Sequence, residues 1–192
     1  MTPVILSRQQ LDQLWEIDRS EIIDTLYRLD NGQLRAYREY YDVRGWDPHD
    51  RQVYTPIHEA CYDRGGIFFA FFDDEQMIAA AALDTLPRGM NGELRQLLFF
   101  YVGAGKRGQG WGRRLFQYAL HQLPEMGASG LYISSIPNKN TVDFYLAQGC
   151  RLADKPDPAL FALEPEDIHL VCDRLYRRGA KGDGKREHYP PN

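Results

Sequence analysis

Three apolar runs follow one another in the middle of the chain, and polar turns separate them. They span residues 67–72, 77–83 and 94–102. Because the segments between them are short, we expect three consecutive strands that pair antiparallel. None of the runs approaches the roughly 20 apolar residues that a membrane-crossing helix needs. The pattern therefore predicts an antiparallel meander at the centre of the fold.

The N-terminal part predicts a strand, a helix, a hairpin and a second helix. Residues 4–6 are typical of a short strand, and the capping-box pattern that starts at Ser7 predicts a helix through Ile17. On both sides of Asp30-Asn31-Gly32, apolar and polar residues alternate, which is a strong hairpin signal. Apolar residues then recur at helical spacing between about residues 48 and 62.

After the third apolar run, five glycines and two cations occupy residues 103–112, and helical apolar spacing resumes at Leu115. This predicts a strand, a glycine-rich loop and a helix N-terminus. Such a junction leaves backbone N–H groups unpaired and favours a phosphate ligand.

Further elements are a strand at 131–135, a helix from Asn140 to Gly149, and a strand at 168–172. The order of these strands and helices along the chain predicts a mixed α/β domain with a mostly antiparallel sheet and one strand-helix-strand crossover.

Composition places the chain among ordinary globular proteins. It has 192 residues, 43% hydrophobic and 26% charged, enough for one well-packed domain. The three cysteines are odd in number and far apart, which indicates a reducing compartment and a packing role. The first residues lack a signal-type apolar core, so we expect a cytoplasmic location. The five histidines share no ligand spacing with the cysteines, and we expect no metal.

Charge is unevenly distributed along the chain. The net charge is −4, but residues 177–192 contain five Lys or Arg and two Asp or Glu, which leaves −7 on the rest. An acidic body argues against nucleic acid as a partner, and nothing indicates a membrane surface. The tail at 177–192 is rich in glycine and charge, so we expect it to be mobile.

The glycine loop contains a literal dinucleotide-binding pattern, Gly103-x-Gly105-x-x-Gly108. Two features argue against a dinucleotide enzyme. The pattern belongs to the first unit of a parallel sheet, whereas here three antiparallel strands are predicted before it. The following strand ends in Ser134-Ser135, without the acidic residue that would hold a ribose. A nucleoside triphosphate loop is excluded because Arg107 stands where Ser or Thr would ligate magnesium.

An overlapping pattern, Arg107-x-x-Gly110-x-Gly112, resembles the pyrophosphate loop of the GNAT superfamily of acyl-CoA-dependent N-acyltransferases. The segment from Asn138 to Cys150, with Phe144-Tyr145 on a helix and a closing Gly149, is similar to the second signature of that family. The resemblance implies a single domain over 1–176. Residues 66–152 would form its acyl-CoA-binding core, with splayed strands at the CoA site, and residues 1–65 its variable substrate side, with an extra hairpin.

The resemblance also implies roles for individual residues. The backbone N–H of Val102 would polarise the thioester carbonyl, and Tyr145 would protonate the leaving thiolate. Asn138 would hydrogen-bond the pantetheine arm, and the side chains of Arg107 and Arg113 would offset phosphate charge. The pyrophosphate would lie against a run of six residues: Arg107, Gly108, Gln109, Gly110, Trp111 and Gly112.

Each role has a plainer alternative that the sequence leaves open. Tyr145 fits a core aromatic, Arg113 a solvated helix face, and Asn138 a helix cap. Gln96 stands near the strand position where some members carry a glutamate base, and an amide cannot accept a proton at neutral pH. Glu93, on the same predicted strand, is a weak candidate for a base that acts through water.

The expected function is transfer of an acetyl group from acetyl-CoA to a primary amine of a small molecule. Aromatic and acidic residues of the hairpin and of residues 39–48, among them Asp42 and Asp47, suit a cationic amine. The alternative is a non-catalytic module that binds acyl-CoA for a regulatory or partner-binding purpose. An exposed apolar edge strand near the C-terminus would favour a homodimer.

Overall fold

The computed structural model describes residues 2–173, so the tail at 177–192 lies outside the described residues. Two short 3₁₀ helices, Arg8–Glu16 and Ala104–Lys106, accompany the main elements. The strands and α-helices follow in the order β1 (Val4–Ile5), β2 (Glu21–Asp30), β3 (Gln33–Val43), α1 (Pro48–Asp63), β4 (Ile67–Asp73), β5 (Gln76–Arg88), β6 (Leu94–Val102), α2 (Trp111–Gln122), β7 (Gly130–Ser135), α3 (Lys139–Ala147), β8 (Arg151–Leu152), α4 (Pro158–Leu163) and β9 (Ile168–Asp173).

Seven strands form the central sheet, in the order β1-β4-β5-β6-β7-β9-β8. The predicted meander is confirmed, because β4, β5 and β6 pair antiparallel in sequence order. Strand β5 is longer than predicted: it continues through Pro87, which the sequence pattern had assigned to the following turn. The only parallel pair among the described strands is β6 with β7, which the α2 crossover joins.

Strands β6 and β7 separate soon after they begin. Their pairing covers only residues 94–96 of β6 and 130–132 of β7, although β6 continues to Val102. The register between β5 and β6 shifts by one residue at Leu98, as a β-bulge produces. Beyond the bulge, β6 stays with β5 and leaves β7, so a wedge-shaped gap opens between β6 and β7.

The backbone of Val102 faces this gap. Val102 lies opposite Ala79, and the next N–H, that of Gly103, donates to the carbonyl of Ile78 at 2.9 Å. In an antiparallel ladder this geometry makes Val102 and Ala79 a non-hydrogen-bonded pair. The N–H and the carbonyl of Val102 therefore point away from β5, toward the gap.

Strands β2 and β3 form the predicted N-terminal hairpin as a separate two-stranded sheet. Its turn residues, Asn31 and Gly32, both have positive φ, as a two-residue hairpin turn with native strand twist requires. The hairpin docks at the end of β7, where the N–H of Tyr27 donates to the carbonyl of Pro137 at 2.8 Å. The Tyr27 hydroxyl also donates to Asp143 on α3, at 2.9 Å. The hairpin thus lies beside the open end of the gap.

Helices cover both faces of the sheet. Helices α2 and α3 pack on one face, around a core that includes Phe69, Phe116 and Tyr145. The first 3₁₀ helix and α1 cover part of the other face, with Leu14 and Phe68 in their core, and α4 covers the rest. All three cysteines are buried, as predicted.

The C-terminal strand does not form an edge. Strand β9 lies between β7 and β8 and pairs antiparallel with both. Its residues are buried because the chain returns through α4 and inserts the strand into the sheet. The edge on that side is β8, only two residues long, so the expectation of an exposed apolar edge at the C-terminal strand was wrong, and the homodimer stays a prediction. Among the helices of residues 2–173, none is long and apolar enough to cross a membrane.

Helix α1 is fixed to the sheet by a partly buried ion pair. Arg64, just after α1, donates two hydrogen bonds to Asp84 on β5, at 2.6 and 2.8 Å, and Asp84 is only 2% exposed. Burial alone would raise the pKa of Asp84, but the bonds from Arg64 and from the N–H of Leu86 lower it overall.

We expect Asp84→Asn to lower the free energy of unfolding by about 2–3 kcal/mol at pH 7, because it leaves the Arg64 charge without its partner. The matched control, Asp63→Asn, removes an exposed partner of Arg8 and should change stability little. Since the lowered pKa stabilises the fold only where Asp84 is ionised, the difference should persist to pH 5 and shrink in stronger acid. Urea unfolding measures both variants, and equal losses would contradict this description.

Candidate active site

The N-terminus of α2 presents free backbone donors beside the gap. Gly110 precedes the helix with φ of +84°, a left-handed conformation, and as a glycine it brings no capping side chain. The first backbone N–H that donates within the helix is that of Arg114, whose acceptor is the carbonyl of Gly110. Within residues 2–173, the N–H groups of Trp111, Gly112 and Arg113 have no acceptor. Three parallel donors at a helix N-terminus suit an anion.

The loop before α2 leaves room for that anion. A Cβ added at Gly108 or Gly110 would meet no atom within 4 Å, so the space above the loop is open. A Cβ at Gly112, in contrast, would contact Phe144 at 3.4 Å and Val102 at 3.6 Å. Gln109 ties the loop internally by donating to the carbonyl of Gly105 at 3.0 Å. We call the open space above Gly108 and Gly110, together with the free N–H groups of residues 111–113, the cradle, and Gly112 joins it to the gap.

The two predicted cations occupy different positions. Arg113 is exposed on the first turn of α2 and makes no ion pair within the described part of the chain. Arg107 turns inward: its guanidinium donates to the carbonyls of Val102, Arg19 and Ser20 at 3.0–3.4 Å. Arg107 therefore ties the end of β6 and the N-terminal segment to the loop, while Arg113 keeps its charge available.

Tyr145 lies in the aromatic core behind the gap. It is 4% exposed, and its ring packs near Phe100, Phe116 and Phe144, with centroids 5.4–5.9 Å apart. Burial raises the pKa of Tyr145 far above the ordinary value for a phenol. The core role and the donor role are compatible, because a phenol with a raised pKa stays protonated at neutral pH.

Asn138 caps α3 and is almost fully buried, with 1% exposure. Its Oδ1 accepts from the N–H of Asn140 at 3.0 Å, so the capping alternative is correct. Its Nδ2 has no acceptor among the described residues, which leaves one buried donor unsatisfied. The segment also pairs with Leu26 of the hairpin.

The candidate base, Glu93, does not lie at the gap. Glu93 lies in the turn before β6, where its carboxylate accepts from the N–H of Asn91 at 2.8 Å. Nine strand residues, about 30 Å, separate it from Val102, so the expectation for Glu93 was wrong. Gln96 is buried and accepts from Arg88 at 3.0 Å, while Arg88 also pairs with Asp157. Gln96 therefore belongs to a structural network.

A half-buried carboxylate that sequence reasoning missed lies at the other side of the gap. Asp167 precedes β9 and accepts from the hydroxyl of Ser134 on β7, at 2.7 Å. Burial raises the pKa of Asp167 to about 6, Ser134 acts in the opposite direction, and Glu164 adds to the rise. No local motif marks this residue, because only the insertion of β9 beside β7 brings it to the gap.

Aromatic and acidic side chains surround Asp167 on the face that α1 and α4 cover. Tyr101 of β6 packs against Trp46 with ring centroids 4.6 Å apart, and burial raises its pKa. Arg19 stacks over Trp46 and pairs with Asp50 at 2.5 Å. Tyr54 of α1 donates to Glu164. These residues form what we call the acceptor face: Arg19, Trp46, Asp50, Tyr54, Tyr101, Glu164 and Asp167.

The two carboxylates that the sequence suggested for the acceptor have local roles instead. Asp42 pairs with Arg44 at 2.9 Å on the exposed strand β3. Asp47 caps α1 by accepting from the N–H of His49 at 2.7 Å. The stretch 39–48 contributes Trp46 to the acceptor face, while Asp50, just beyond that stretch, contributes a carboxylate. Among residues 2–173, no group of His, Cys, Asp or Glu could hold a metal ion.

These features combine in one arrangement. An antiparallel meander ends in a β-bulge, the next parallel strand splays away, and a glycine loop opens a helix beside the gap. The arrangement suits an acyl donor that carries a pyrophosphate, and it brings that donor to an acidic, aromatic face.

The chain belongs to the acetyltransferase (GNAT) family, whose model matches residues 24–150, more than half of the chain. It is therefore an acyl-CoA-dependent N-acetyltransferase with acetyl-CoA as its acyl donor. The family expectation and the fold expectation are both confirmed. The dinucleotide interpretation is excluded by the antiparallel strands that precede the loop.

Solved structures share this fold. A nourseothricin acetyltransferase has 19% identity and a TM-score of 0.67, over 90% of this chain and 97% of that one. A putative streptothricin acetyltransferase from Bacillus anthracis str. Ames, in complex with acetyl coenzyme A, has 19% identity and a TM-score of 0.59, over 90% and 98%. The ribosomal-protein-S18-alanine N-acetyltransferase from Escherichia coli has 13% identity and a TM-score of 0.55, over 98% and 99%. No curated protein sequence matches the chain.

The cradle predicts a specific effect of Gly110→Ala. The added methyl group enters the open space over the helix N-terminus and strains a positive φ, so we expect CoA to bind at least about tenfold more weakly, roughly 1.4 kcal/mol. Calorimetric titration with CoA measures the change.

Gly127→Ala is the matched control, because Gly127 also has positive φ, +63°, and open surroundings, but follows α2 at its other end. Both variants should lose similar stability, while only Gly110→Ala should lose affinity. Equal CoA affinity in the two variants would place the pyrophosphate elsewhere.

Proposed function

We propose that this protein acetylates a primary amine of a small, cationic molecule. The observation that carries the proposal is the gap between β6 and β7, which connects the anion cradle on one face of the sheet with the acceptor face on the other. A thioester held in the gap would meet an amine that approaches from the opposite side. The proposed catalytic domain is 1–176, with 66–152 as its acyl-CoA-binding core, and we propose a cytoplasmic location.

The donor side is built from backbone groups and few side chains. The N–H groups of Trp111, Gly112 and Arg113 would hold the pyrophosphate, and the Arg113 side chain would offset its charge. The N–H of Val102 points into the gap, where it would polarise the thioester carbonyl as an oxyanion-hole donor. The unsatisfied Nδ2 of Asn138 is available to a pantetheine carbonyl. These donors fit an acyl-CoA molecule along β6.

Tyr145 is the proposed acid for the leaving group. Formation of the amide releases the CoA sulfur as a thiolate, which needs a proton. The raised pKa of Tyr145 keeps its hydroxyl protonated, and α3 places it in the core on the donor face of the gap. Proton donation to the thiolate by a positioned phenol would contribute a factor of about 10²–10⁴ to the rate.

The acceptor face favours a cationic amine over a neutral one. Asp167 and Glu164 supply carboxylates that form no ion pair within residues 2–173, and the ring of Tyr54 can attract an ammonium group. Asp50 and Trp46 already interact with Arg19 and complete the wall of the face. The hairpin docks on Pro137 beside this opening. Solved structures of the same fold are named for acetylation of nourseothricin and of a ribosomal protein, so the choice of a small acceptor is our proposal from the acidic and aromatic side chains of the acceptor face.

The proposal predicts release of free thiol when the protein, acetyl-CoA and a panel of polyamines, amino acids and aminated antibiotics are combined. We expect Tyr145→Phe to lower kcat about 100-fold or more with little change in the KM for acetyl-CoA. Tyr118→Phe is the matched control, since Tyr118 packs on Phe69 away from the gap.

Two outcomes would contradict this function. CoA binding without thiol release for any amine would favour the non-catalytic module. Rapid acetylation of peptide N-termini, with no reaction of small amines, would overturn the small-molecule assignment.

A further inference from the structure

We propose that Asp167 is the catalytic base, whose carboxylate accepts the proton of the acceptor ammonium group before the amine attacks. The inference rests on the proposed function, because it names the residue that activates the acceptor of that reaction. It replaces the sequence-derived candidate Glu93, which lies at the far end of β6.

Asp167 lies on the acceptor face, near the open end of the gap. Asp167 precedes β9, and its carboxylate is held by the Ser134 hydroxyl at 2.7 Å, near the end of β7 where the gap is open. Ser134 and Tyr132 alternate with residues that face α2 and α3, so the carboxylate lies on the acceptor face. Its charge contributes to the raised pKa values of Tyr54, Tyr101 and Tyr145, which places it within electrostatic reach of three walls of the site.

Asp167 lacks a counter-ion within residues 2–173. The neighbouring Asp50 pairs with Arg19, whereas Glu164 accepts from the hydroxyl of Tyr54, as Asp167 accepts from that of Ser134. Ser134 from β7 is hydrogen-bonded to Asp167, and the titratable groups within electrostatic range are Glu164 from its own loop and Tyr54, Tyr101 and Tyr145 from α1, β6 and α3. None is a cation, and no ion pair to Asp167 forms among residues 2–173. An ammonium group of the acceptor would supply that charge.

The segment that carries Asp167 is held in place by hydrogen bonds. The backbone N–H of Asp167 donates to the carbonyl of Glu164 at 3.2 Å, which closes the turn that follows α4. At the start of α4, the N–H of Asp157 donates to the hydroxyl of Tyr132 at 2.6 Å, and Arg88 pairs with the Asp157 carboxylate. The loop that carries the base is therefore fastened to β5 and β7, as a positioned catalytic group requires.

The environment also suits proton transfer at neutral pH. Burial raises the pKa of Asp167 to about 6, so above that pH the group is an unprotonated base of useful strength. The N–H⁺ bond of the ammonium breaks and its proton moves to the carboxylate, which leaves a neutral amine. The amine nitrogen then forms a bond to the thioester carbon, and the C–S bond breaks. Tyr145 gives its proton to the departing thiolate, and the second proton of the amine nitrogen, lost as the amide forms, restores the Tyr145 hydroxyl. Asp167 finally releases its proton to solvent.

The test compares Asp167→Asn with wild type at saturating acetyl-CoA, using thiol release over pH 5–9. Asparagine keeps the size of the side chain and a polar contact to Ser134, but cannot take a proton. We expect kcat/KM at pH 7.5 to fall about 100-fold or more, and the fall in wild-type activity below about pH 6 to be absent from the variant. Asp167→Glu should recover part of the rate.

A stability readout separates catalysis from folding. The raised pKa means that ionised Asp167 disfavours the folded state above about pH 6, whereas below the ordinary value of 3.8 the group is protonated in both states. Asp167→Asn should therefore raise Tm at pH 8, and the gain should vanish as the pH falls to 4. Asp154→Asn is the matched control, because Asp154 is an exposed carboxylate outside the site and should leave activity unchanged.

The outcomes are distinguishable. Thiol release by wild type with full activity and an unchanged pH profile in Asp167→Asn would overturn the base assignment alone. No thiol release by wild type with any amine would overturn both the base assignment and the proposed function. Loss of activity together with a lower Tm at pH 8 would make Asp167 a structural residue.

Discussion

The short parallel pairing of β6 with β7 is the constraint on which the rest of the structure depends. Three residue pairs hold the strands together, and the bulge at Leu98 then turns β6 away. Backbone groups that a continuous sheet would have satisfied, among them the N–H of Val102, are left facing a gap. A buried unpaired donor is unfavourable, so a ligand that accepts its hydrogen bond gains affinity there.

Other parts of the chain stabilise this opening. Arg107 directs its guanidinium at the end of β6 and at the segment before β2, so the loop is held without using the cradle's own N–H groups. The Arg64–Asp84 pair fixes α1, which carries Asp50 and Tyr54 to the acceptor face. In the proposed function, the donor and the acceptor would meet through the sheet, one from each face.

Local patterns were sufficient for most of the fold. The apolar runs of the meander, the Asn31-Gly32 turn and the glycine loop each contain their structural information within a few residues, and all three are present. The order of β8 and β9 was not predictable in this way. It depends on where a distant strand inserts, and a hydrophobic run such as 168–172 fits an edge and an interior position equally well. The candidate site divides in the same way: the cradle follows from spacing, whereas Asp167 reaches the gap only through tertiary packing.

The most direct measurement of the central claim is a crystal structure of the protein with CoA. The account predicts pyrophosphate oxygens about 3 Å from the N–H groups of Trp111 and Gly112, and pantetheine between β6 and β7. It also places the sulfur near the N–H of Val102, with Asp167 across the gap. A complex in which CoA lies outside the gap, with the N-terminus of α2 unoccupied, would contradict it.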